Sequence, residues 1–496
     1  MSGPPSTGAS PGRAAILAAV MAGAILGPID ASIVNVVLPT LSKSFSASLA
    51  AVQWVPMAYL LASGSLVLFF GRLGDLRGHR RVFLGGLLAF VGASLLCAAA
   101  PTISALVAFR ALQGVAAAAL SSVPLAILTA TFPPAERGKA IGLFAASISV
   151  GLAVGPSLGG FLAATFGWRA AFLVNLPFGL SAWAFARRVL PEVPRRPGRL
   201  DLPGAATALG ALAGLLLFVN RAQQEGLSAR TAPLLLSAVL CGVLFVRLER
   251  RASEPMVALS IFESRKVALG CSAAVLNFMA QYVVVFLTPF LLSRLLGAGP
   301  GRVGLVLTAF PLAVLSVAPF AGALSDRVGS ALPAAAGALV SAAACVLLAT
   351  MPAGAGEGDV AWRLALFGMG TGLFQSPNNS SVMGSVPKPH LGVAGGLLGT
   401  ARTLGMVLGV AAAGAVLYAF VPASALRDGG LAPGQAAAFA AGVRRAYAAG
   451  AVFAEQPSRV TRTVNSSRKP RTTRMGALTG NSRRATHGSR TPGAPG

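Results

Sequence analysis

The sequence predicts an all-α polytopic membrane protein, and three observations predict it. Apolar stretches of about 20 residues, the length that crosses a bilayer core, recur along most of the 496-residue chain. Charged residues make up 11% of it, against about 25% in soluble domains, and the mean hydropathy is +0.72. The arginines and lysines gather in short links between the apolar stretches. A net charge of +26 therefore marks cytoplasmic loops and not a nucleic-acid surface. The four cysteines sit inside apolar runs without metal or disulfide spacing, as small packing residues do.

The elements follow in order. A Ser/Pro/Gly leader, residues 1–13, ends in Arg13. The first span, 14–37, lacks a small-residue cleavage site and is read as retained, not as a removed signal peptide. The second, 50–70, stops at the charged link GRLGDLRGHRR (71–81), and the third fills 82–100. The fourth, 103–130, follows Pro101; the fifth, 140–166, follows a link holding Arg137 and Lys139. The sixth, 170–190, ends on Arg187 and Arg188. Spans at 203–219 and 232–248 form an isolated pair, and five more lie at 267–292, 303–324, 331–351, 361–386 and 393–421. Glycines and prolines inside these runs do not argue against helix, because lipid offers the backbone no other hydrogen-bonding partner. With the N-terminus inside, the links through the sixth span carry twelve Lys and Arg on the inner side and two on the outer, which is the expected bias. The expected location is a cell membrane crossed many times, and arginine outnumbering lysine thirty-five to five fits a GC-rich bacterial genome, hence a bacterial cytoplasmic membrane.

The link GRLGDLRGHRR has an echo, GALSDRVG. Gly71, Asp75 and Gly78 recur as Gly322, Asp326 and Gly329, 251 residues later, again on the inner side. A spaced signature in equivalent loops implies an internal duplication: a six-helix bundle at 14–190, an inserted helix pair with linkers at 191–265, and a second bundle at 266–454. Two such halves around a central pathway form a transporter architecture. In these links the acids can accept helix N-terminal N–H groups and pair with arginines such as Arg80, Arg81 and Arg327, forming a latch on the inner face.

The end of the chain breaks the pattern. Beyond Arg445 only nine apolar residues remain, roughly 14 Å of helix against a core of about 30 Å. The last helix is accordingly expected to be truncated or frame-shifted, with 455–496 a disordered basic tail.

Charges at bilayer depth cost at least ~2.5–3.5 kcal/mol each and mark function by default. Asp30 is the one acid that the spans place deep, nine residues before Pro39. Arg110 lies nine residues after Pro101 on a helix of opposite direction, so both sit about 13 Å below the outer surface and are able to pair. Burial favours a neutral carboxyl group and a nearby guanidinium the ionised form. A rearrangement that changes their separation would load or release a proton; the competing reading is a static ion pair. Arg402 is the other deep cation, with backbone carbonyls or an anionic substrate group as its partners. The histidines, His79, His390 and His487, all fall in loops or the tail.

These residues resemble the major facilitator superfamily, specifically its 14-helix drug:proton antiporters. PIDASIVNVVLPTL is similar to the family's first-span signature, through Asp30, Asn35 and Pro39; LVAFRALQG is similar to its fourth-span motif, through Arg110, Gln113 and Gly114. SVGLAVGPSLGG resembles the antiporter motif, through Gly151, Gly155, Pro156, Gly159 and Gly160, and GWRAAFLVNLPFG the entry to span six. The link 71–81 resembles the superfamily's loop motif, with Leu76 and His79 where arginine is usual. The resemblance implies a proton-driven exporter of small amphiphilic drugs or antibiotics, monomeric, lipid-embedded and without cofactor. Some relatives that export dications carry a second carboxylate in the C-terminal half. Spans nine to thirteen here have none, which leaves monovalent, neutral or anionic cargo.

Polar side chains expected along the path are Asn35, Gln53, Tyr59, Gln113, Asn175, Asn277, Gln281, Tyr282, Gln375, Asn378, Asn379 and Arg402. Three of them sit in QSPNNSS (375–381), an unusually polar run for a span. Two alternatives remain: proton-coupled or facilitated uptake of a metabolite, and a receptor or enzyme. No nucleotide loop, paired catalytic carboxylates or histidine-rich metal set supports the last.

Overall fold

The computed structural model describes residues 12–192, 201–225, 228–252, 264–352, 354–386, 391–422, 426 and 433–466. Its helices are α1 (Arg13–Ser44), bent at Ile25, α2 (Leu49–Arg77), α3 (His79–Ala99), α4 (Ile103–Thr131) and α5 (Pro134–Phe166). A short turn, Ala170–Leu173, leads into α6 (Asn175–Val189). The inserted pair is α7 (Leu202–Glu225) and α8 (Ala232–Arg251). The second half holds α9 (Arg265–Arg294), α10 (Pro300–Val328), α11 (Ala331–Ala349), α12 (Glu357–Met383), α13 (Leu391–Phe420) and α14 (Pro433–Ser466). Eleven helices among the described residues are long and apolar enough to cross a membrane. The exceptions are α6, which is short, and α12 and α14, which are polar.

Local chemistry sets the ends. Thr102 caps α4 by accepting the Ala105 N–H at 3.2 Å, and Asp359 accepts the Gly356 N–H at 3.1 Å at the start of α12. Such side chains satisfy amides that the helix leaves open. Gly78 (φ 102°) ends α2 and Gly329 (φ 84°) ends α10, a left-handed backbone that side chains disfavour.

The two halves repeat each other in packing. In the first, α1 lies on α5, α2 on α4, and α3 on α4 and α6; in the second, α9 lies on α13, α10 on α12, and α11 on α12 and α14. Even the echoed glycines match: a methyl on Gly71 would face Ser122 of α4, and one on Gly322 would face Ser376 of α12. The bundles meet where α5 crosses α10, α2 crosses α13 and α1 crosses α9. The pair α7–α8 packs on itself, and α7 lies along α2 and α13. Leu236, Val239 and Leu240 of α8 are exposed, facing the place of lipid.

The expected truncation at residue 454 is corrected. The helix continues to Ser466, 34 residues in all, about 51 Å at 1.5 Å per residue, and it packs on α9 and α11. Its outer part is anchored by Arg445 over the Phe420 ring (4.2 Å) and by Tyr447 Oη to Thr288 Oγ1 (3.0 Å). A helix needs backbone hydrogen bonds, not apolar side chains, and of residues 455–459 all but Pro457 carry the N–H that makes one. Glu455 thus lies inside α14, paired with Arg459 at 3.0 Å. With α14 in place the chain reaches Ser466 on the side of Arg72 and Arg80, where the charge rule wants the basic residues that follow. The first residues of the leader, 1–11, the linker segments 193–200 and 253–263, and the tail residues 467–496 lie outside the described residues.

Candidate functional site

Asp30 is fully enclosed within the first bundle, and two helices bring three donors to it. From α4, Arg110 Nη1 lies 2.5 Å from Asp30 Oδ2, and Gln113 Nε2 donates to Oδ1 at 2.9 Å. From the start of α6, Asn175 Nδ2 donates to Oδ1 at 2.8 Å. Arg110 and Gln113 are three apart on one helix, hence neighbours on its surface, and Arg110 Nη1 also donates to Gln113 Oε1 at 2.5 Å. The remaining guanidinium face is covered by the Tyr59 ring, 4.2 Å away, and Arg110 Nε donates to the Val55 carbonyl at 3.3 Å. Ser94 of α3 accepts from Gln113 at 2.8 Å and Asn175 at 3.3 Å. Every group on Asp30 is a donor, the environment of an ionised carboxylate, which only accepts.

The predicted pair at equal depth is therefore made. Ser94 and the ring of Phe172, 5.9 Å from the Arg110 guanidinium, were not singled out by sequence, because a serine or a phenylalanine in an apolar run carries no signal of its own.

A second site lies between the bundles. It is a cavity of about 490 Å³ lined by α1, α5, α9, α10, α12 and α13. Six predicted path residues line it: Asn35, Gln281, Tyr282, Gln375, Asn379 and Arg402. The others do not. Gln113 and Asn175 are spent on Asp30, and Tyr59 lies beneath Arg110. Asn378 donates to the Gly270 carbonyl at 3.2 Å, and Gln53 and Asn277 are wholly buried. A polar side chain in a span bonds inside the protein as readily as it lines a path, and type alone does not separate the two.

Outward, the cavity is closed by contacts between bundles. Ser157 and Thr308 hydroxyls meet at 2.7 Å, Arg294 Nη2 donates to Ser42 Oγ at 3.2 Å, and the Ala50 N–H donates to Tyr418 Oη at 3.1 Å. Inward, its lining runs to Ala145, Ala318 and Ser380.

The glycine-rich run of α5 connects the two sites. A methyl on Gly151 would come within 3.3 Å of the Ile25 carbonyl, on Gly155 within 3.0 Å of the Ile29 carbonyl, and on Gly159 within 3.0 Å of the Ile33 Cα. These glycines, four apart, let α1 lie directly on α5. Gly160 points elsewhere: a methyl there would sit 2.7 Å from the Pro300 carbonyl and 3.0 Å from the Gly304 Cα, both on α10. Pro156, inside the helix, lines the cavity.

At the inner ends, Asp75 lies 3.4 Å from His79 Nε2 and 4.0 Å from Arg72. Arg80 reaches α6, pairing with Glu192 at 3.2 Å and donating to the Arg187 carbonyl at 2.7 Å. Arg81, Asp326, Arg327 and Gly329 are exposed.

Known proteins agree with this arrangement. Multidrug resistance protein Stp of Mycobacterium tuberculosis is 35% identical over 80% of this chain and 74% of its own. Riboflavin transporter RibZ of Clostridioides difficile is 32% identical over 80% and 86% respectively. The crystal structure of a bacterial homologue of the human lysosomal transporter Spinster, inward-facing and occupied, superposes with a TM-score of 0.67 at 16% identity, covering 92% of this chain and 98% of that one. The sequence profile described as Major Facilitator Superfamily matches residues 20–410. With two pseudo-equivalent bundles around a central cavity, and with that profile matched over most of its length, the chain belongs to the major facilitator superfamily of membrane transporters.

Proposed function

We propose that the protein is a proton-coupled antiporter that exports small amphiphilic drugs or antibiotics across the cytoplasmic membrane by alternating access. The observation that carries this reading is Asp30, held by Arg110, Gln113 and Asn175 at a depth where a charge is costly. Proton arrival at Asp30 removes its charge and turns one acceptor oxygen into a donor, which conflicts with the three donors around it. Arg110 then loses its counter-ion, and α1 must shift to relieve both groups.

The shift has a route outward. Ser32 and Asn35, on the turns after Asp30, line the central cavity. The glycines of α5 seat α1 directly, and Gly160 seats α5 on α10 of the other bundle. A displacement at Asp30 therefore reaches both the cargo cavity and the contact between bundles. Entry of a proton from outside and its release inside would drive one rocking cycle and carry cargo out. The printed name of Stp supports drug export. That of RibZ supports a second reading, transport of a metabolite by the same machinery.

The test uses inside-out vesicles with an imposed pH gradient and a lumenal pH dye, with amphiphilic antibiotics and riboflavin added one at a time. Compound-dependent proton movement is expected in the native protein and is lost in Asp30→Asn. Unchanged exchange in the variant removes Asp30 from the mechanism.

A further inference from the structure

We propose that the central cavity is built for an anionic cargo, a carboxylate or sulfonate on an aromatic or aliphatic body, with Arg402 as the group that receives the anion. The proposal deepens the antiport reading and takes its direction of transport from it, but the binding step stands alone.

Three observations carry it. The cavity lining holds one cation, Arg402, and no carboxylate among the described residues. Arg402 Nε has no hydrogen-bonding partner among the described residues, and its guanidinium carbon lies 5.3 Å from the Phe278 ring centroid. Arg110, the other deep arginine, has its counter-ion at 2.5 Å; Arg402 has the cavity. A buried guanidinium without an acid is unfavourable until an anion supplies the missing charge, and its planar fork matches two carboxylate or sulfonate oxygens.

The surroundings fit the rest of such a molecule. Phe278 and Phe310 are aromatic residues of the lining, and Tyr282, Gln281 and Asn379 add polar groups to the same cavity. The position of Arg402 is fixed by its helix. Gly405 and Gly409, three and seven residues on, approach the Val275 and Met279 carbonyls of α9 so closely that a methyl has no room. Arg402 is thereby held at the α9–α13 seam, facing the space between the bundles.

Charge follows from this. A proton moving in and an anion moving out each carry positive charge inward, so the membrane potential and the pH gradient both drive export.

The test compares equilibrium binding of 1-naphthoate and 1-naphthylmethylammonium, an anion and a cation on one aromatic body, to the full chain in lipid nanodiscs. The anion is expected to bind at least tenfold tighter. Arg402→Gln should weaken the anion at least tenfold and leave the cation unchanged or improved, while Arg402→Lys should retain part of the preference. Equal affinity for the two probes, preference for the cation, absent anion binding, or an Arg402→Gln protein that binds the anion as before overturns the proposal. If Arg402→Gln does not fold, the probe ratio in the native protein and in Arg402→Lys decides. The vesicle assay with the lumenal pH dye is run alongside on the native protein. Anion binding there without any anion-dependent proton movement would defeat the antiport reading and leave this one standing; loss of charge preference with proton movement intact would do the reverse.

Discussion

Asp30 and Gly304 mark the two extremes of what a single residue announces. The depth of Asp30 and of Arg110 could be read from their spacing to Pro39 and Pro101 with the helical rise alone, and the structure pairs them. Their surroundings were less visible. Gln113 and Asn175 were assigned to the cargo path by polarity, yet both donate to Asp30, because only a contact distinguishes a lining group from a bonded one. Gly304 gave no sign: a lone glycine in an apolar run is ordinary, and its importance lies in the Pro156 carbonyl and Gly160 pressed against it from the other bundle. A valine at 304 has no space in this state. Overpacking of this kind costs about 1–3 kcal/mol, charged here to the closed outer seam. Gly304→Val should therefore lower the thermal midpoint in detergent and bias the protein away from outer closure, read as faster labelling of an outer cavity cysteine. Unchanged labelling would show that the seam is looser than drawn.

Among elements, thirteen helices were legible as apolar runs, and α14 was not read at full length. From Arg445, beside Phe420 at the outer end of α13, the ten residues to Glu455 span about 15 Å, so Glu455 and Arg459 sit near the middle of the crossing. Both are substantially exposed, at 41% and 66%. Apolar counting stops where these residues begin, while the backbone continues and α9 and α11 hold it. The i, i+4 order, glutamate first, favours the pair slightly. That gain of about 0.2–0.5 kcal/mol falls well short of the ~2.5–3.5 kcal/mol of insertion cost for each central charge. The double variant Glu455→Leu/Arg459→Leu should insert more completely and melt at a higher temperature in detergent. A lower yield of folded protein would mean that the pair is needed where it is.

At the scale of the whole molecule, the duplication read from two short loops extends to the packing order of all twelve core helices, which no loop motif states. The inner latch was expected from Asp75 and Asp326. The state observed has its bundle contacts at the outer ends instead, at Ser157–Thr308 and Ser42–Arg294. Ser157 and Thr308, whose hydroxyls meet at 2.7 Å, are the positions at which to introduce a cross-linking pair of cysteines. Oxidation should then hold the outer seam shut and abolish transport, with recovery on reduction; the four natural cysteines are free, three of them buried. Transport that continues after verified cross-linking would rule out opening at this seam.

The position of α7 makes the molecule unequal around its circumference. One of the two long seams, α2 against α13, is covered by that helix and shielded further by α8; the other, α5 against α10, has no such cover among the described residues and is walled on the inward side of the cavity by Ala145 and Ala318. The flank without a helix pair is therefore the one on which the seam between the bundles borders lipid directly, so lipid composition acts on the rocking motion there and not through α7.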